Sequence, residues 1–401
     1  MLLNTCSEQE YWRTVSPILL ERSYLYPLKP IGLGTPFVES FTSYIARLAA
    51  THQVTTGILL AQEVAPLINK CHQSSRLSSN FFTTFLSQTG AWNGTGTMAT
   101  ELVSVLQKLT KQPTLRFLTL LTWAEVLTTR NLLRPNKAWC PLCYFEWNQN
   151  GIPIHEPLAW SISTITVCCQ HQQPLLHLCP HCGETIYHLS WNSKLGFCCR
   201  CHNWLGISCR LSPTQLMTDS DWQWQFFVGQ QIGYILAHAP YLMQIPQKQK
   251  LANAIDSCIV SYFQGKAKTF ADLMFFSPTV PSDWRSGRAL PVLNLLLRVC
   301  YRLSISLLDF LTGNVTISPQ FVLKELPLCQ QYSKTNRPFD LIQIKQLLET
   351  ALSEFPPKSL RQVALAIKYD RTDLYRHLPN LCRQINLRYK LYKKSTSHSH
   401  V

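Results

Sequence analysis

Eight metal-ligating residues fall into four pairs of fixed spacing between residues 140 and 201, and no other feature restricts the chain as tightly. The pairs are Cys140-Pro-Leu-Cys143, Cys168-x-x-His171, Cys179-Pro-His-Cys182 and Cys198-x-x-Cys201. Two intervening residues let both side chains of a pair turn toward one ion, and two pairs complete a tetrahedron. The fifteen residues between Cys182 and Cys198 fit the spacing of a four-cysteine zinc site. The pattern predicts two closed sites, Cys140/Cys143/Cys168/His171 and Cys179/Cys182/Cys198/Cys201, each holding a structural zinc ion. Cys169 and Cys199 adjoin two of these ligands. Cys168 and Cys198 are preferred because they keep the two-residue gap to His171 and Cys201, and the choice stays open. An ion ligated entirely by protein has no open position for a water nucleophile. His155, His177 and His188 lie outside the paired spacing and are expected to be structural or exposed.

Disulfides would require an oxidising compartment. The opening Met1-Leu-Leu-Asn-Thr-Cys-Ser-Glu lacks the basic region of a secretory signal, so a reducing cytoplasm is expected. The most apolar segment, Leu290 to Leu311, is interrupted by Arg298, Arg302 and Asp309, which argues against a membrane span.

Lys and Arg outnumber Asp and Glu by 37 to 22, a formal charge of +15. That excess favours polyanions through counterion release. It is concentrated at one end: residues 355–401 carry ten Lys or Arg against Asp370 and Asp373.

The 401 residues allow about two to four domains. The pattern divides them into a helical domain over 1–135, a tandem zinc-ribbon-like region over 136–212, a helical domain over 213–350 and a basic helical module over 351–401. The expected fold is mainly α, with helix-turn-helix modules flanking the zinc region. In the first domain Phe41, Tyr44, Ile45, Leu48 and Ala49 make one apolar helical stripe. After the Thr51–Val54 turn, Thr55 or Thr56 can cap a second helix, which makes a helix-turn-helix. Pro27 to Pro36 reads as an extended, turn-rich entry. Residues 90–97 read as a loop that lacks the Gly-Lys-Ser/Thr ending of a phosphate cradle. Helical stripes follow over Leu102–Leu109 and Leu115–Leu127. Inside the zinc region Trp160–Val167 reads as a short strand. Leu290–Gly313 repeats the helix-turn-helix plan, with Ser304 in the turn and Gly313 as C-cap.

The last module is the sharpest. Ser359 caps a helix that buries Leu360, Val363, Ala364 and Ile367. Lys368-Tyr-Asp370 forms the turn, with Asp370 as N-cap. A second helix follows that turns Leu374 and Leu378 inward and Arg371, Thr372, Tyr375 and Arg376 outward. This is the arrangement a major-groove recognition helix needs. Leu381–Lys394 adds a basic helix. The candidate DNA contacts are Arg361, Lys368, Arg371, Thr372, Tyr375, Arg376, Arg383, Arg388 and Lys390.

Taken together these residues resemble the TniQ/TnsD family, the target-selection proteins of heteromeric DNA transposons, including CRISPR-associated ones. Glu39-Ser-Phe-Thr-Ser-Tyr-Ile-Ala-Arg-Leu-Ala49 resembles the family's N-terminal motif. The run from Cys140 through Trp160, Cys168 and His171 to Cys182 resembles its second motif. Ser359–Ala364 with Leu374–His377 resembles the extra helix-turn-helix of TnsD-type members. The resemblance implies an adaptor without chemistry of its own. Such a protein binds target DNA directly, or docks on an RNA-guided Cascade effector with its guide RNA. It then recruits an AAA+ ATPase regulator and, through it, the transposase. It also implies Glu39, Ser40, Ser43 and Arg47 as partner-binding positions, and a homodimer in the Cascade-binding case. The competing reading is a zinc-containing transcription regulator with no ATPase partner. A metal-dependent nuclease is disfavoured by the closed zinc sites.

Overall fold

The computed structural model describes residues 22–68, 86, 88–209, 218–317, 322–331, 340–367, 369 and 371–397. It divides into two compact units, Met1–Pro327 and Leu328–Val401. Both are mainly helical.

The first unit opens on the entry segment, where Gly32 and Gly34 take left-handed backbone angles. Helix α1 (Phe41–Thr51) follows. Ser40 caps it by accepting from the Ser43 N–H, and the whole predicted stripe Phe41, Tyr44, Ile45, Leu48 and Ala49 is buried. Gln53, at φ 57°, makes the turn. Thr55 then caps α2 (Thr56–Leu59) by accepting from Ile58 N–H. This short helix continues as a wider π turn over Leu60–Val64 and a 3-10 turn over Ala65–Leu67. Residues 89–93 are a 3-10 turn in the predicted loop. Its Asn93 reaches back to α1, accepting from Thr42 N–H at 3.0 Å and donating to Thr42 Oγ1 at 3.0 Å. Helix α3 spans Thr97–Thr110.

Two expectations need correction. Residues 115–127 are not one helix but two 3-10 turns, Leu115–Leu118 and Leu121–Trp123. The large apolar residues of that stretch still pack in or against the core, which compact turns permit as well as a helix does. Trp160–Val167 is not a strand. Leu158–Ser161 is a 3-10 turn, and only Val167–Cys168 (β1) pairs, antiparallel, with Gln173–Pro174 (β2). The β-branched run is used instead in irregular contacts. Ser163 N–H donates to Leu132 O, and Leu133 and Ile162 form an isolated bridge.

Helix α4 (Pro141–Gln149) begins the metal region. Beyond it come α5 (Asp219–His238), opened by a capping box of Thr218 and Asp221, α6 (Lys248–Phe263), α7 (Ala267–Leu273), α8 (Val280–Arg285), α9 (Leu293–Leu303) and α10 (Leu307–Thr312). Ser304, at φ 55°, turns the chain between α9 and α10, and Gly313 ends α10 at φ 78°. That is the helix-turn-helix plan read from the sequence.

One hydrophobic core runs from Leu25 to Leu326 and includes Trp92, Trp123, Trp139, Trp160 and Trp224. Residues on both sides of positions 135 and 212 belong to this core, so the cysteine-rich region is packed into the same interior as the helices that flank it.

The second unit contains α11 (Leu328–Gln331), α12 (Leu341–Ser353), α13 (Leu360–Ile367), α14 (Arg371–His377) and α15 (Pro379–Ser397). Its core is Ile344, Leu348, Ala351, Leu360, Val363, Ala364, Leu374, Cys382 and Ile385. Helix α12, which begins ahead of the expected module start at residue 351, supplies three of those residues. Ser359 and Gln362 close a capping box on α13, Ser359 N–H donating to Gln362 Oε1 and Gln362 N–H to Ser359 Oγ. The backbone expectations for Lys368 and Asp370 lie outside the described residues.

Candidate metal centres

Each ligand pair is presented by a short local device. Cys140 is the N-cap of α4 with Pro141 in the first turn, so Cys140 and Cys143 sit at the positive end of the helix, a setting that favours thiolate. The other three pairs are tight knuckles closed by a residue in the left-handed region. Gln172 N–H donates to Cys168 O, Gly183 N–H to Cys179 O and His202 N–H to Cys198 O, at 2.8, 2.9 and 3.0 Å. Gln172, Gly183 and His202 all have positive φ, between 51° and 71°. The knuckle turns both side chains of a pair to one side.

The structure brings together both predicted sets of four, Cys140/Cys143/Cys168/His171 and Cys179/Cys182/Cys198/Cys201, with all ligand atoms of a set within 4.8 Å of one another. In the first, His171 Nδ1 lies 3.3 Å from Cys140 Sγ and 3.2 Å from Cys143 Sγ, and Cys143 Sγ lies 3.6 Å from Cys168 Sγ. In the second, Cys179–Cys201 and Cys182–Cys198 sulfurs are 3.6 and 3.8 Å apart. A tetrahedral zinc with arms of about 2.3 Å has sulfur–sulfur edges of about 3.8 Å, so both sets fit a metal ion. Cys169 and Cys199 belong to neither set. Cys169 turns away toward Gly229 of α5, where a β-carbon would run into its sulfur.

The first set carries supports that spacing did not reveal. His171 Nε2 lies 2.9 Å from Glu146 Oε2, a carboxylate that fixes which ring nitrogen faces the metal. Gln173 Nε2 donates to Cys140 Sγ at 3.1 Å. Hydrogen bonding among the thiols holds Cys140 down and drives Cys143 up, and burial adds to the rise at Cys143. Cys168 is pushed up to about 12, first by its contact with Cys140. Three neighbouring thiols cannot all ionise unaided in a buried site; a bound dication removes the conflict. The second set is more open, with Cys182 exposed and Cys201 half-buried. It too has N–H donors to sulfur, from Arg200 N to Cys198 at 3.4 Å and from Asn203 Nδ2 to Cys201 at 3.5 Å.

The fifteen residues between Cys182 and Cys198 form an arm laid on the helical part of the unit. Lys137 N–H donates to Ile186 O, Leu189 N–H to Thr89 Oγ1 and Gly57 N–H to Trp191 O. The Trp191 ring covers Gly57 so closely that a β-carbon there would enter the indole. His188 is buried, shares a hydrogen bond with Arg134 O, and is pushed down to about 3 by burial. His155 stacks on Trp147, ring centroids 4.3 Å apart. His177 is exposed.

The positions expected to bind partners turn out to be internal. Glu39, Ser40 and Ser43 are buried, and Arg47 is nearly so. Glu39 accepts from Ile31 N–H at 2.8 Å and pairs with Arg47 Nε at 3.0 Å. Ser43 Oγ accepts from Glu156 N–H at 3.0 Å. Glu156 in turn pairs with buried Lys137 at 2.5 Å. This network ties α1 to Glu156, between the two halves of the first metal set, and through it to Lys137 just before that set.

In the second unit Arg361, Arg371, Thr372, Tyr375, Arg376, Arg383 and Lys390 are exposed. Tyr375 accepts from Asn386 Nδ2 at 2.6 Å, and Arg376 Nη1 lies 3.4 Å from Asp373. Arg388 differs from expectation: half-buried, it donates to Leu352 O at the end of α12. Lys368 lies outside the described residues.

Residues 30–175 match the family model described as TniQ. The match takes in the whole first metal set and stops short of the second. No curated protein matches the chain.

Proposed function

This chain carries a TniQ domain, which puts it among transposition-associated proteins, and from that premise we propose that it selects the target site by binding DNA through its C-terminal unit. The observation that carries this reading is the exposure of helix pairs. In α10 no residue is exposed, and Leu307, Phe310 and Leu311 are buried. The first turn of α2 is covered by Trp191. Helix α14 alone among the three second helices presents a polar and basic face, Arg371, Thr372, Tyr375 and Arg376, over a buried Leu374. Arginine there can pair with guanine edges while Thr372 and Tyr375 reach phosphates. Arg361, Arg383 and Lys390 extend the positive surface.

In this reading the first unit is the platform that recruits an AAA+ ATPase regulator, and two zinc ions hold the platform together. The sulfur-rich, four-coordinate sets suit zinc, and the protein works as an adaptor. Footprinting of the full-length protein on DNA, paired with capture of the ATPase, tests it. Changing Arg371 and Arg376 to Ala should cost about 1–3 kcal/mol for each base-reading contact and leave ATPase capture intact. Capture without any footprint would instead favour docking on an RNA-guided Cascade complex. A footprint without capture would favour a transcription regulator.

A further inference from the structure

A groove of about 370 Å³ lies between α1 and the arm that joins the halves of the second metal set. Ala46, Arg47 and Ala50 line it from α1, and Lys194 and Leu195 line it from the arm, with Leu28 and Ile154 completing the apolar surface. Ala46 and Ala50 stand one turn apart on one face of the helix, and their small side chains leave the space open. No Asp or Glu lines the groove. Glu39, which pairs with Arg47, is wholly buried. Lys194 is exposed with its ammonium 4.2 Å from the Phe197 ring, and no carboxylate among the described residues lies within ion-pair reach of it. We infer that this groove is a docking site for a short segment of a partner protein that carries apolar side chains beside carboxylates, with the second metal set holding one of its walls.

The lining decides the occupant. The volume falls at the small end of the range for ligand and peptide pockets, which suits a few side chains and not a duplex. A second copy of a chain with net charge +15 would bring like charge to a cationic rim. An extended peptide can seat apolar side chains on the alanine face and set a carboxylate against Lys194. The wall on the arm side lies between Cys182 and Cys198, in a loop whose ends the metal ties together. Ser190 N–H donates to Ser193 Oγ at 2.7 Å and stiffens that wall further. The TniQ match ends at residue 175, so the wall is built by residues beyond that domain. The groove belongs to the first unit alone, and its occupancy does not depend on the DNA reading of the second.

The test uses the full-length, metal-loaded protein and no target DNA. A display library of random twelve-residue peptides is selected on it, and the winners are measured by fluorescence anisotropy. The expected winners carry net negative charge and apolar residues. Ala50→Trp, at an exposed position, and Lys194→Glu should each weaken them at least tenfold without changing the circular dichroism. Cys198→Ser with Cys201→Ser should abolish binding while one metal equivalent remains. Winners that bind Ala50→Trp as tightly as wild type would overturn the site. Basic winners, no enrichment, or displacement by a random-sequence oligonucleotide would overturn the choice of an acidic protein segment.

Discussion

At Gly57 the missing side chain is the contact: any β-carbon would enter the Trp191 ring. Gly57→Ala should therefore destabilise the first unit by about 1–3 kcal/mol, the usual range for overpacking. Trp191→Ala should restore part of that loss when combined with it. Urea denaturation of the single and double variants reads the coupling, and strictly additive losses would remove the contact from consideration. Glu39 offers a second residue-level prediction. Burial raises its carboxyl to about 7 against the pull of Arg47. Between about 4.5 and 7 the folded state then holds more protons than the unfolded chain. The contribution of Glu39 to stability falls as pH rises through that window, by about 3 kcal/mol in all. Glu39→Gln should be less sensitive to pH across it. Parallel wild-type and variant stability curves from pH 5 to 8 would refute the assignment.

The metal sets and the helices show how far local pattern reaches. Glu146→Gln should loosen metal at the first set by roughly 10- to 100-fold and leave the second unchanged. Competition with a chromogenic chelator should then show one equivalent released early and one late. All eight ligands were legible because a two-residue gap is a local constraint that a knuckle or a helix start can satisfy without help from the rest of the fold. Glu146 was not legible, since it meets His171 only after α4 and the β1–β2 hairpin have packed. The stripes of α1 and α13 were legible from their period. Trp160–Val167 was misread because β-branched residues suit a strand, yet the backbone finds its partners one at a time, at Leu132 and Leu133. The partner-binding expectation for Glu39, Ser40, Ser43 and Arg47 came from the family resemblance alone, and no local pattern showed that Glu39 and the serines would be buried beside Lys137 and Glu156.

For the whole molecule, the two units should respond differently to loss of metal. Both ligand sets lie in the first unit, and no comparable cluster occurs among the described residues of the second. Calorimetry with a strong chelator should lower the transition of the first unit and leave that of the second in place. A common shift would mean that the units unfold as one. The order of the ligands also bears on biosynthesis. The sets are consecutive along the chain rather than interleaved, the first complete at His171 and the second at Cys201. In a nascent chain the first set can thus be complete outside the ribosome before the second set has emerged. Ribosome-bound chains long enough to expose residue 171 but not residue 201 should retain one equivalent of metal, and chains that expose residue 201 as well should retain two.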